Sequence, residues 1–583
     1  MPSPDRAGPL KMSRRRSLQV GAASAAAGLV TSSKTAPPAQ AGNLPPGPAT
    51  PAFMVELPVY TAKLPVARLT PDSTQAARVA DGECGRPDHQ RRDNWPAQKF
   101  YTLDVREGWH SFHPNLPTQK IWGYDGIYPG PTFVARYGEP IIVRIHNNLP
   151  RNSVGFGSPE ISTHLHNLHC ASESDGFAGD YYSAVNYGPT LTAAGSYKDH
   201  HYPHFYAGYD KFGATNGDPR EALGTLWYHD HRDGFTAPNV YKGLTGMYLL
   251  FDELDSGDER DPNPKALRLP SGVGQYDIPL VIQDKQFDSS GYLFLDQFEN
   301  DGILGNKFCV NGKIQPFFKV ERRKYRFRLL DGGPSRFYEF YLTTADHVVQ
   351  SFSFIASDGN LLPAPLTMSK VPLAPAERAD IVIDFSKYDT GTSLFLVNRL
   401  VHIDGKGPEE ADVNTRNAAG LLTKRGTQIL RFDIGNTPAL PDVSQVPALL
   451  RALPDIDLKQ VVRTRRFEFD KTNEVWTVNG QIYNGEKATA MPKKGTAEIW
   501  VLEGKGSWHH PVHIHFEEGR ILTRNGRQPP PHERGRKDVY VLAPGEVVRV
   551  FLRFRDFTGK YMMHCHNTIH EDHAMMIRYD IVD

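Results

Sequence analysis

The amino-acid sequence predicts an all-β protein built from three consecutive domains. Glycine and proline are both abundant, with 51 and 46 residues, as expected for a chain of many short strands joined by turns. Apolar runs that are alternating or continuous, as in strands, occur for example at 326–330 and 381–385. The length of 583 residues leaves room for three domains of ordinary size.

The segment 1–41 is expected to be a targeting signal rather than part of the fold. Residues 13–18 contain three consecutive arginines and resemble a twin-arginine export signal. A weakly apolar stretch at 20–30 follows, and Ala39-Gln40-Ala41 offers a small-residue cleavage site. We therefore expect twin-arginine export to the periplasm or the cell exterior. The apolar stretch is too short to span a membrane as an ordinary helix, so no stable membrane insertion is expected.

The rest of the chain is expected to form three domains separated by two linkers. The domain bounds are 42–252, which includes an N-terminal extension, 278–434 and 466–583, and the linkers are 253–277 and 435–465. In the first domain, strands should follow the turn sequence at 128–131 and a strand at 243–251 should end the domain. The first linker is polar and charged, whereas the second is rich in proline and apolar residues.

The charge balance argues against two classes of partner. The chain has 66 basic and 66 acidic residues, which gives a formal net charge of zero. Such a balance points neither to nucleic acid nor to an anionic membrane surface. Neither is therefore expected as a partner, and the chain is expected to be a monomer.

Histidine is the residue type that points to chemistry. The chain contains 23 histidines, and an isolated histidine is usually a surface residue or a satisfied core residue. Four clusters contain a His-x-His pair, however, and in a strand both members of such a pair lie on the same face. Imidazoles grouped in this way are suited to hold several metal ions. The eight paired histidines are His164, His166, His229, His231, His513, His515, His564 and His566.

The last of these clusters also contains a thiol. Cys565 lies between His564 and His566, and in an extended strand it faces away from both of them. The thiolate and the imidazole pair are therefore expected to serve different metals. Cys565, His570 and a more distant Met575 supply most of a His₂Cys site with a weak axial thioether, the arrangement of blue-copper sites.

The remaining ligand of that site is predicted from the spacing of the histidines in the third cluster. His510 is an odd number of residues from His513 and His515, so in a strand it faces the other way. It is therefore the expected partner of Cys565. Other histidines near the clusters have different offsets and are expected to lie at the surface or behind the ligands: His169, His200, His201, His204, His509 and His573.

Together these motifs resemble those of the three-domain multicopper oxidases, the superfamily of laccases and bilirubin oxidases. All four copper motifs stand in the family's order, and the resemblance covers nearly everything after the targeting segment. It implies three consecutive cupredoxin-like Greek-key β-barrel domains. It also implies an enzyme that couples four one-electron oxidations of a reducing substrate to the reduction of dioxygen to water. The implied cofactor is copper, with four ions per chain: one type 1, one type 2 and two type 3.

The resemblance also implies a role for each ligand. The residues that resemble the type 1 ligands are His510, Cys565 and His570, with Met575 axial. Those that resemble the type 2 ligands are His164 and His513. Those left for the type 3 pair are His166, His229, His231, His515, His564 and His566.

This assignment implies an electron route and a place for oxygen reduction. Electrons from the substrate are expected to enter at the type 1 site and to pass through Cys565 and its backbone to His564 and His566. Because the copper motifs lie in the first and third domains, the oxygen-reducing site is expected at their interface. The second domain has no copper motif and is expected to space the outer domains and to line the substrate cleft.

Reduction of dioxygen to water consumes four protons, so acids are expected beside the copper ligands. Glu571 directly follows His570, and Asp175 lies nine residues after His166 and immediately before a glycine. Both resemble the proton-relay acids of the family. For Asp175 the alternative is an ordinary turn aspartate.

The substrate class is predicted from one tryptophan. Trp508 lies two residues before His510, a position that resembles bilirubin oxidase, and residues 571–573 resemble the same branch. This favours phenols, aromatic amines or tetrapyrroles such as bilirubin as substrates, although simple packing is the alternative role of Trp508. The main enzymatic alternative is a metallo-oxidase acting on Mn(II), Fe(II) or Cu(I). Cuprous oxidases of the family often carry methionine-rich inserts. The chain has 10 methionines and no such insert, so Cu(I) is the least favoured of these metal substrates.

The number of paired histidines argues against two other kinds of copper protein. A copper nitrite reductase would lack the full set of four His-x-His pairs, and a single-site copper carrier would have no use for the eight additional histidines.

Outside the copper motif, Cys84, Cys170 and Cys309 permit at most one internal disulfide. Cys170 is expected to be either a buried thiol or a disulfide partner.

Overall fold

The computed structural model describes residues 47–152, 155–409 and 426–583. The expected targeting segment 1–41 lies outside these residues. Within them strands predominate, and the longest α-helix, Thr236–Lys242, has 7 residues. No helix in this part of the chain is long and apolar enough to cross a membrane.

The described strands fall into three consecutive groups. The first group comprises β1 (Lys99–His110), β2 (Gln119–Tyr124), β3 (Gly130–Arg136), β4 (Ile141–Asn147), β5 (Thr163–His166), β6 (Tyr197–Tyr202), β7 (Thr225–Asp230) and β8 (Thr245–Phe251). The second comprises β9 (Asp277–Phe287), β10 (Leu293–Phe294), β11 (Lys307–Val310), β12 (Lys313–Ile314), β13 (Phe317–Val320), β14 (Lys324–Asp331), β15 (Tyr338–Thr344), β16 (Val349–Gln350), β17 (Phe352–Ser357), β18 (Asn360–Met368), β19 (Lys370–Leu373), β20 (Arg378–Asp384), β21 (Ser393–Asn398) and β22 (Thr427–Ile434). The third comprises β23 (Val461–Thr472), β24 (Val475–Val478), β25 (Ala488–Ala490), β26 (Thr496–Gly504), β27 (His510–Ile514), β28 (Gly519–Arg524), β29 (Arg536–Lys537), β30 (Val539–Leu542), β31 (Val547–Phe554), β32 (Gly559–Cys565) and β33 (Met576–Ile581).

Helices are short and lie between strands. The α-helices are Ser172–Asp175, Thr236–Lys242 and Thr568–Asp572. The 3₁₀ helices are Val79–Asp81, Gly213–Thr215, Pro219–Glu221, Phe385–Lys387, Leu458–Gln460 and Pro531–Glu533. The fold is therefore all-β, as the sequence predicts.

Each group of strands forms two sheets. The orders are β2-β1-β4-β6 and β3-β8-β7-β5 in the first group, and β24-β23-β26-β31-β28-β29 and β25-β33-β32-β27-β30 in the third. In the second group they are β12-β11-β9-β14-β20-β17-β18, with β10 on β9, and β13-β22-β21-β15-β16, with β19 on β15. Every one of these sheets contains a single parallel pair of strands among antiparallel ones. One architecture is therefore repeated three times along the chain.

Apolar side chains fill each sheet pair, because facing sheets bury one side of every strand. Representative buried core residues of the three groups are Ile145, Phe327 and Trp500. A smaller apolar cluster, which includes Trp227 and Val539, draws on all three groups. The groups are thus joined through a shared apolar junction.

Two of the short helices lie where the first and third groups meet. Ser172–Asp175 contacts both β5 and β32, and Thr236–Lys242 contacts Thr568–Asp572. These helices therefore form contacts between the first and third groups of strands. This is the region that receives the histidine motifs.

The four cysteines are buried and none of them forms a disulfide. Burial raises the pKa of the Cys84 thiol to about 12 and that of Cys309 to about 12. Of the two alternatives for Cys170, the buried thiol is the one observed.

Candidate metal centre

The four His-x-His pairs lie at the ends of four strands that meet between the first and third groups. His164 on β5 is directly opposite His229 on β7, and His513 on β27 is directly opposite His564 on β32. Antiparallel partners that face each other have neighbouring side chains on the same side of the sheet. The register of two strand pairs therefore concentrates the imidazoles, and all eight rings are buried.

The eight imidazoles form three sets, two of which share His166. Within each set the ring nitrogens lie within 4.8 Å of one another, and the sets are His164, His166 and His513; His166, His229 and His566; and His231, His515 and His564. The ring centroids of His166 and His513 are 3.7 Å apart, and those of His164 and His515 are 3.9 Å apart. Each set takes histidines from both strand groups, so neither group could form a set alone.

Several ring nitrogens in this histidine cluster have no hydrogen-bond partner. The buried nitrogens without a hydrogen-bond partner are Nε2 of His164, His229 and His513, Nδ1 of His231, and both nitrogens of His166 and His566. A buried polar atom left without a partner costs free energy, so unpaired nitrogens pointing at one another call for an ion. Burial lowers the pKa of His229 to about 3 and that of His231 to about 4, which keeps these rings neutral, as metal ligands must be.

Two acids contact the outer side of the histidine cluster. Asp175 Oδ2 lies 2.7 Å from His515 Nδ1. Glu571 Oε2 lies 3.0 Å from His564 Nδ1, and its Oε1 lies 3.4 Å from His231 Nδ1. These contacts leave the Nε2 atoms of the three rings for a metal, since a ligating histidine commonly donates its second ring N–H to a carboxylate. Both acids predicted from the sequence therefore lie beside the ligands.

The two acids have opposite pKa shifts. Burial raises the pKa of Asp175 well above its ordinary value. Burial acts on Glu571 in the same direction, but the adjacent His564 and His231 outweigh it and hold its pKa below the ordinary value. Asp175 is also the last residue of the helix Ser172–Asp175, directly before Gly176.

Backbone carbonyls and a third acid complete the outer contacts. His229 Nδ1 donates to the carbonyl of Asp230 at 2.8 Å, and His513 Nδ1 donates to that of Asp538 at 3.1 Å. The Asp538 carboxylate lies 3.6 Å from His166 Nε2 and is held by Arg378 through two hydrogen bonds of 2.8 Å. Sequence reasoning missed Asp538, because only the pairing of β30 with β27 brings it to the cluster.

The thiol-containing motif forms a separate group. Cys565 Sγ lies 3.6 Å from His510 Nδ1 and 3.5 Å from His570 Nδ1, and all three side chains are buried. Met575 is buried in the same apolar cluster, and its carbonyl accepts a hydrogen bond of 3.1 Å from the Cys565 amide. A thiol and two imidazoles with a nearby thioether are the ligand set of a blue-copper site.

Aromatic side chains cover this second site. Trp508, which is only partly buried, lies edge-on to Trp476 with a centroid distance of 5.2 Å. Trp476 in turn stacks on His570 at 3.7 Å with an interplanar angle of 27°. Sequence reasoning identified Trp508 but missed Trp476, which lies 32 positions earlier in a different hairpin and carries no motif.

Six further histidines lie near the motifs and make other contacts. Two of them bond to side chains elsewhere: His169 Nε2 lies 2.8 Å from Asp556 Oδ2, and His204 Nε2 lies 2.6 Å from the Tyr248 hydroxyl. None of the six belongs to a set of converging ligands among the described residues: His169, His200, His201, His204, His509 and His573.

Comparison with known proteins gives consistent matches. Family models described as multicopper oxidase match residues 105–217 and 455–583. The chain is 34% identical over 542 residues to bilirubin oxidase from Albifimbria verrucaria, covering 91% of this chain and 82% of that protein. It is 31% identical over 535 residues to a laccase from Bacillus subtilis, covering 83% of this chain and 94% of the laccase.

Solved structures match the fold over most of the chain. A laccase from Pediococcus acidilactici aligns with a TM-score of 0.69 and 22% identity over 93% of this chain and 97% of the laccase. A Campylobacter jejuni multicopper oxidase described as a metallo-oxidase aligns with a TM-score of 0.66 and 16% identity, covering 94% and 99% of the two chains. These matches confirm the predicted fold of three consecutive cupredoxin-like domains. With the sequence matches, they establish that the chain belongs to the multicopper oxidase family, copper-dependent oxidoreductases with oxygen as the electron acceptor.

Proposed function

We propose that this enzyme couples four one-electron oxidations of a small aromatic reductant to the four-electron reduction of dioxygen to water. The observation that carries the proposal is the buried histidine cluster, whose unpaired ring nitrogens converge between two strand groups. Copper bound at the two sites would supply one-electron oxidation at one end and reduction of dioxygen at the other.

The proposed ligand assignment uses four copper ions per chain. His510, Cys565 and His570 would hold the type 1 copper, together with Met575. The type 2 ligands are His164 and His513. The type 3 ligands divide into His166, His229 and His566 for one ion and His231, His515 and His564 for the other. The convergence of ring nitrogens in these same sets supports the division of the type 3 ligands.

The chain itself links the two sites. Cys565 belongs to the thiol-containing site, while its neighbours His564 and His566 belong to two different sets of the histidine cluster. The covalent path between the sites is therefore only one residue long in each direction. We infer that electrons cross this backbone.

We assign proton delivery to Asp175 and Glu571. Each carboxylate contacts the outer nitrogen of a proposed type 3 ligand, so each can pass a proton on beside the histidine cluster without occupying a metal position. The Thr236 hydroxyl donates to Glu571 Oε1 at 2.6 Å and fixes the orientation of that carboxylate. Both acids are fully buried, which separates the protons they hold from bulk water.

The proposed substrates are phenols, aromatic amines or tetrapyrroles such as bilirubin. The partly exposed indole of Trp508 offers an aromatic surface over the type 1 site. Two carboxylates near it, Asp301 and Glu474, are both paired with Lys471, at 2.6 and 3.4 Å. The Lys471 ammonium lies 5.1 Å from the Trp508 ring and repels an incoming cation, which disfavours Mn(II), Fe(II) and Cu(I) as donors.

Oxygen consumption tests the substrate class. The copper-loaded enzyme is supplied in turn with bilirubin, a dimethoxyphenol, Mn(II), Fe(II) and Cu(I), and the uptake of dioxygen is recorded. We expect the two aromatic donors to give the highest kcat/KM. Uptake with the metal ions alone would instead establish a metallo-oxidase.

We further propose that the enzyme is a monomer exported by the twin-arginine route to the periplasm or the cell exterior. Replacement of Arg14 and Arg15 by lysine is expected to retain the protein in the cytoplasm with its segment 1–41 uncleaved, as measured by cell fractionation and N-terminal sequencing. Size-exclusion chromatography with light scattering tests the monomer.

The domain bounds 42–252, 278–434 and 466–583 also stand as a proposal. They are supported by the three groups of strands, which extend over 99–251, 277–434 and 461–581. Limited proteolysis is expected to cut first within the linkers 253–277 and 435–465.

A further inference from the structure

The two histidines of the thiol-containing site are inaccessible from solvent. His510 and His570 both have 0% of their surface exposed. His570 Nε2 donates to the backbone carbonyl of Asp301 at 2.9 Å and lies 3.0 Å from Asn567 Nδ2. A substrate therefore cannot touch either imidazole, and its electrons have to cross the side chains that cover them.

Two indoles form that cover. Trp476 is fully buried, stacks on the His570 ring at 3.7 Å and is held by a hydrogen bond of 2.7 Å from its Nε1 to the carbonyl of Asn300. Trp508 lies edge-on to Trp476 and reaches the surface. From solvent inward, the order is therefore Trp508, Trp476 and His570, with consecutive rings in contact.

We propose that Trp476 is the bridge through which electrons from a donor at Trp508 reach His570. The proposal rests on the proposed oxidase function and specifies its electron entry. A phenol at Trp508 loses one electron and one proton. The proton goes to solvent, and the electron crosses Trp476 to the site of His570 and Cys565. Dioxygen is the final oxidant, and Trp476 itself undergoes no net change.

The surrounding charge suits a bridge that is not itself oxidised. The Lys471 ammonium lies 5.1 Å from the ring centroids of both Trp476 and Trp508. A cation over an aromatic face is attracted to the neutral ring and opposes formation of a positively charged indole radical. Lys471 also pairs at 2.6 Å with Asp301, whose carbonyl binds His570, so one residue holds the cover and the ligand together.

The experiment compares Trp476→Leu, which removes the aromatic bridge, with Trp476→Phe, which keeps a ring. Trp500→Phe is the matched control, because Trp500 is equally buried in the same core but packs on Phe467 rather than on a ligand. Each copper-loaded variant is mixed anaerobically with a dimethoxyphenol or with ferrocyanide, and bleaching of the blue absorption is followed by stopped flow. The type 1 potential and the quenching of tryptophan fluorescence by added copper are measured on the same proteins.

We expect Trp476→Leu to slow bleaching by up to about 10²-fold for both donors, the order of loss that displaced reacting groups can produce. Trp476→Phe should fall between Trp476→Leu and wild type, and Trp500→Phe should match wild type. The type 1 potential should stay unchanged, whereas Trp476→Leu and Trp476→Phe should lose part of the fluorescence quenching. Loss for the phenol alone, with ferrocyanide unaffected, would mark Trp476 as part of a binding site and overturn the proposal.

Two further outcomes also overturn it. Bleaching of Trp476→Leu at the wild-type rate would exclude a bridge, and loss of the blue absorption from both Trp476 variants would make Trp476 a packing residue only. Failure of the oxidase proposal is distinguishable, because wild-type enzyme would then bind no type 1 copper or take up no dioxygen.

Discussion

Met575 is the residue through which the potential of the proposed type 1 site should be adjustable. Its side chain is buried in the apolar cluster that contains Cys565, and its amide donates to the carbonyl of His570 at 3.0 Å. Because a weak axial thioether lowers the potential of a blue-copper site, Met575→Leu is expected to keep its copper and raise the type 1 potential. Redox titration of the blue absorption measures the change. An unchanged potential with full copper content would show that Met575 is not the axial ligand.

Glu571 should affect the reduction of dioxygen without affecting electron entry. Glu571→Gln keeps the shape of the side chain but removes the carboxylate that can accept and release a proton beside His564 and His231. Loss of a positioned acid or base typically slows a reaction about 10²–10⁴-fold. Steady-state oxygen uptake is therefore expected to fall by about 10²-fold or more. Anaerobic bleaching of the blue absorption should keep its wild-type rate.

The control for this change is Glu56→Gln. Glu56 is exposed, lies outside the histidine cluster, and pairs with Lys319 at 3.4 Å. It should leave both rates unchanged. Oxygen uptake by Glu571→Gln at the wild-type rate would remove Glu571 from proton delivery.

At the residue scale, the spacing of residues along the sequence predicted which side chains converge. It did not predict how the histidines divide among the three sets. The odd spacing of His510 predicted its approach to Cys565, and the two atoms that meet are 3.6 Å apart. The division of the paired histidines among three sets depends on rings from different strand groups, such as His166 and His513. Trp476 and Asp538 were missed for the same reason, since only tertiary contacts bring them to the sites.

The helix Ser172–Asp175 is the element that fixes Asp175 against the histidine cluster. It ends at Gly176, which has φ +88, and a Cβ added there would lie 2.2 Å from the carbonyl oxygen of Thr163 and 2.6 Å from Cα of His164. Both contacts are with backbone of β5, which cannot move aside without shifting His164. The helix and the strand are therefore matched to a glycine at this position.

Gly176→Ala is expected to destabilise the protein and weaken copper binding. Left-handed strain costs about 1–2 kcal/mol and overpacking about 1–3 kcal/mol more. The matched control is Gly138→Ala, where φ is +81 but no atom lies within 4 Å of an added Cβ, so strain alone applies. Urea unfolding and copper analysis measure both effects. Equal loss of stability in the two variants would show that the close approach to β5 is unimportant.

At the element scale, strands were more predictable than helices. The apolar runs at 326–330 and 381–385 lie in β14 and β20, except that β20 ends one residue early at Asp384. In β14 the buried Arg326 and Arg328 alternate with apolar residues and pair with Asp380 and Asp277, whereas β20 is continuously apolar only over 381–383. The helix Thr568–Asp572, which carries His570, was not predicted, because five residues within a ligand motif are too few to show helical periodicity.

An ion cluster joins the first and third strand groups. Glu221, which is buried, contacts Arg553 at 2.7 Å, Arg555 at 2.6 Å and Arg536 at 3.3 Å. Burial alone would raise the pKa of Glu221, but the three arginines outweigh it and hold the pKa below its ordinary value. Since the histidine cluster also lies between these two groups, the ion cluster supports the whole site.

Glu221→Gln is expected to destabilise the protein by up to about 3–5 kcal/mol at neutral pH, because three arginines lose a shared buried carboxylate. Arg555 and Arg536 keep Glu517 and Glu518 as partners. The folded-state pKa of Glu221 lies below the unfolded-state value of about 4.3. Its contribution is therefore complete above that value and is lost as the pH falls towards the folded-state pKa. Urea unfolding should show a large difference between variant and wild type at neutral pH and a smaller one in acid. A difference that is independent of pH would contradict the assigned role of the carboxylate.

At the scale of the whole molecule, the sequence predicted three all-β domains and the meeting of the first and third at the metal site. What it could not predict was the contact surface, because residues such as Glu221 and Arg555 belong to no motif and are 334 positions apart. The orientation of the groups depends on such charge pairs and on the shared apolar junction.

Copper content combined with the product of oxygen reduction tests the central claim most directly. Purified enzyme reconstituted with copper is analysed for copper per chain, and dioxygen uptake with a dimethoxyphenol is recorded together with hydrogen peroxide. We expect about four coppers per chain, a blue absorption, and four electrons consumed per dioxygen with no peroxide released. One or two coppers per chain with no oxygen uptake would contradict it.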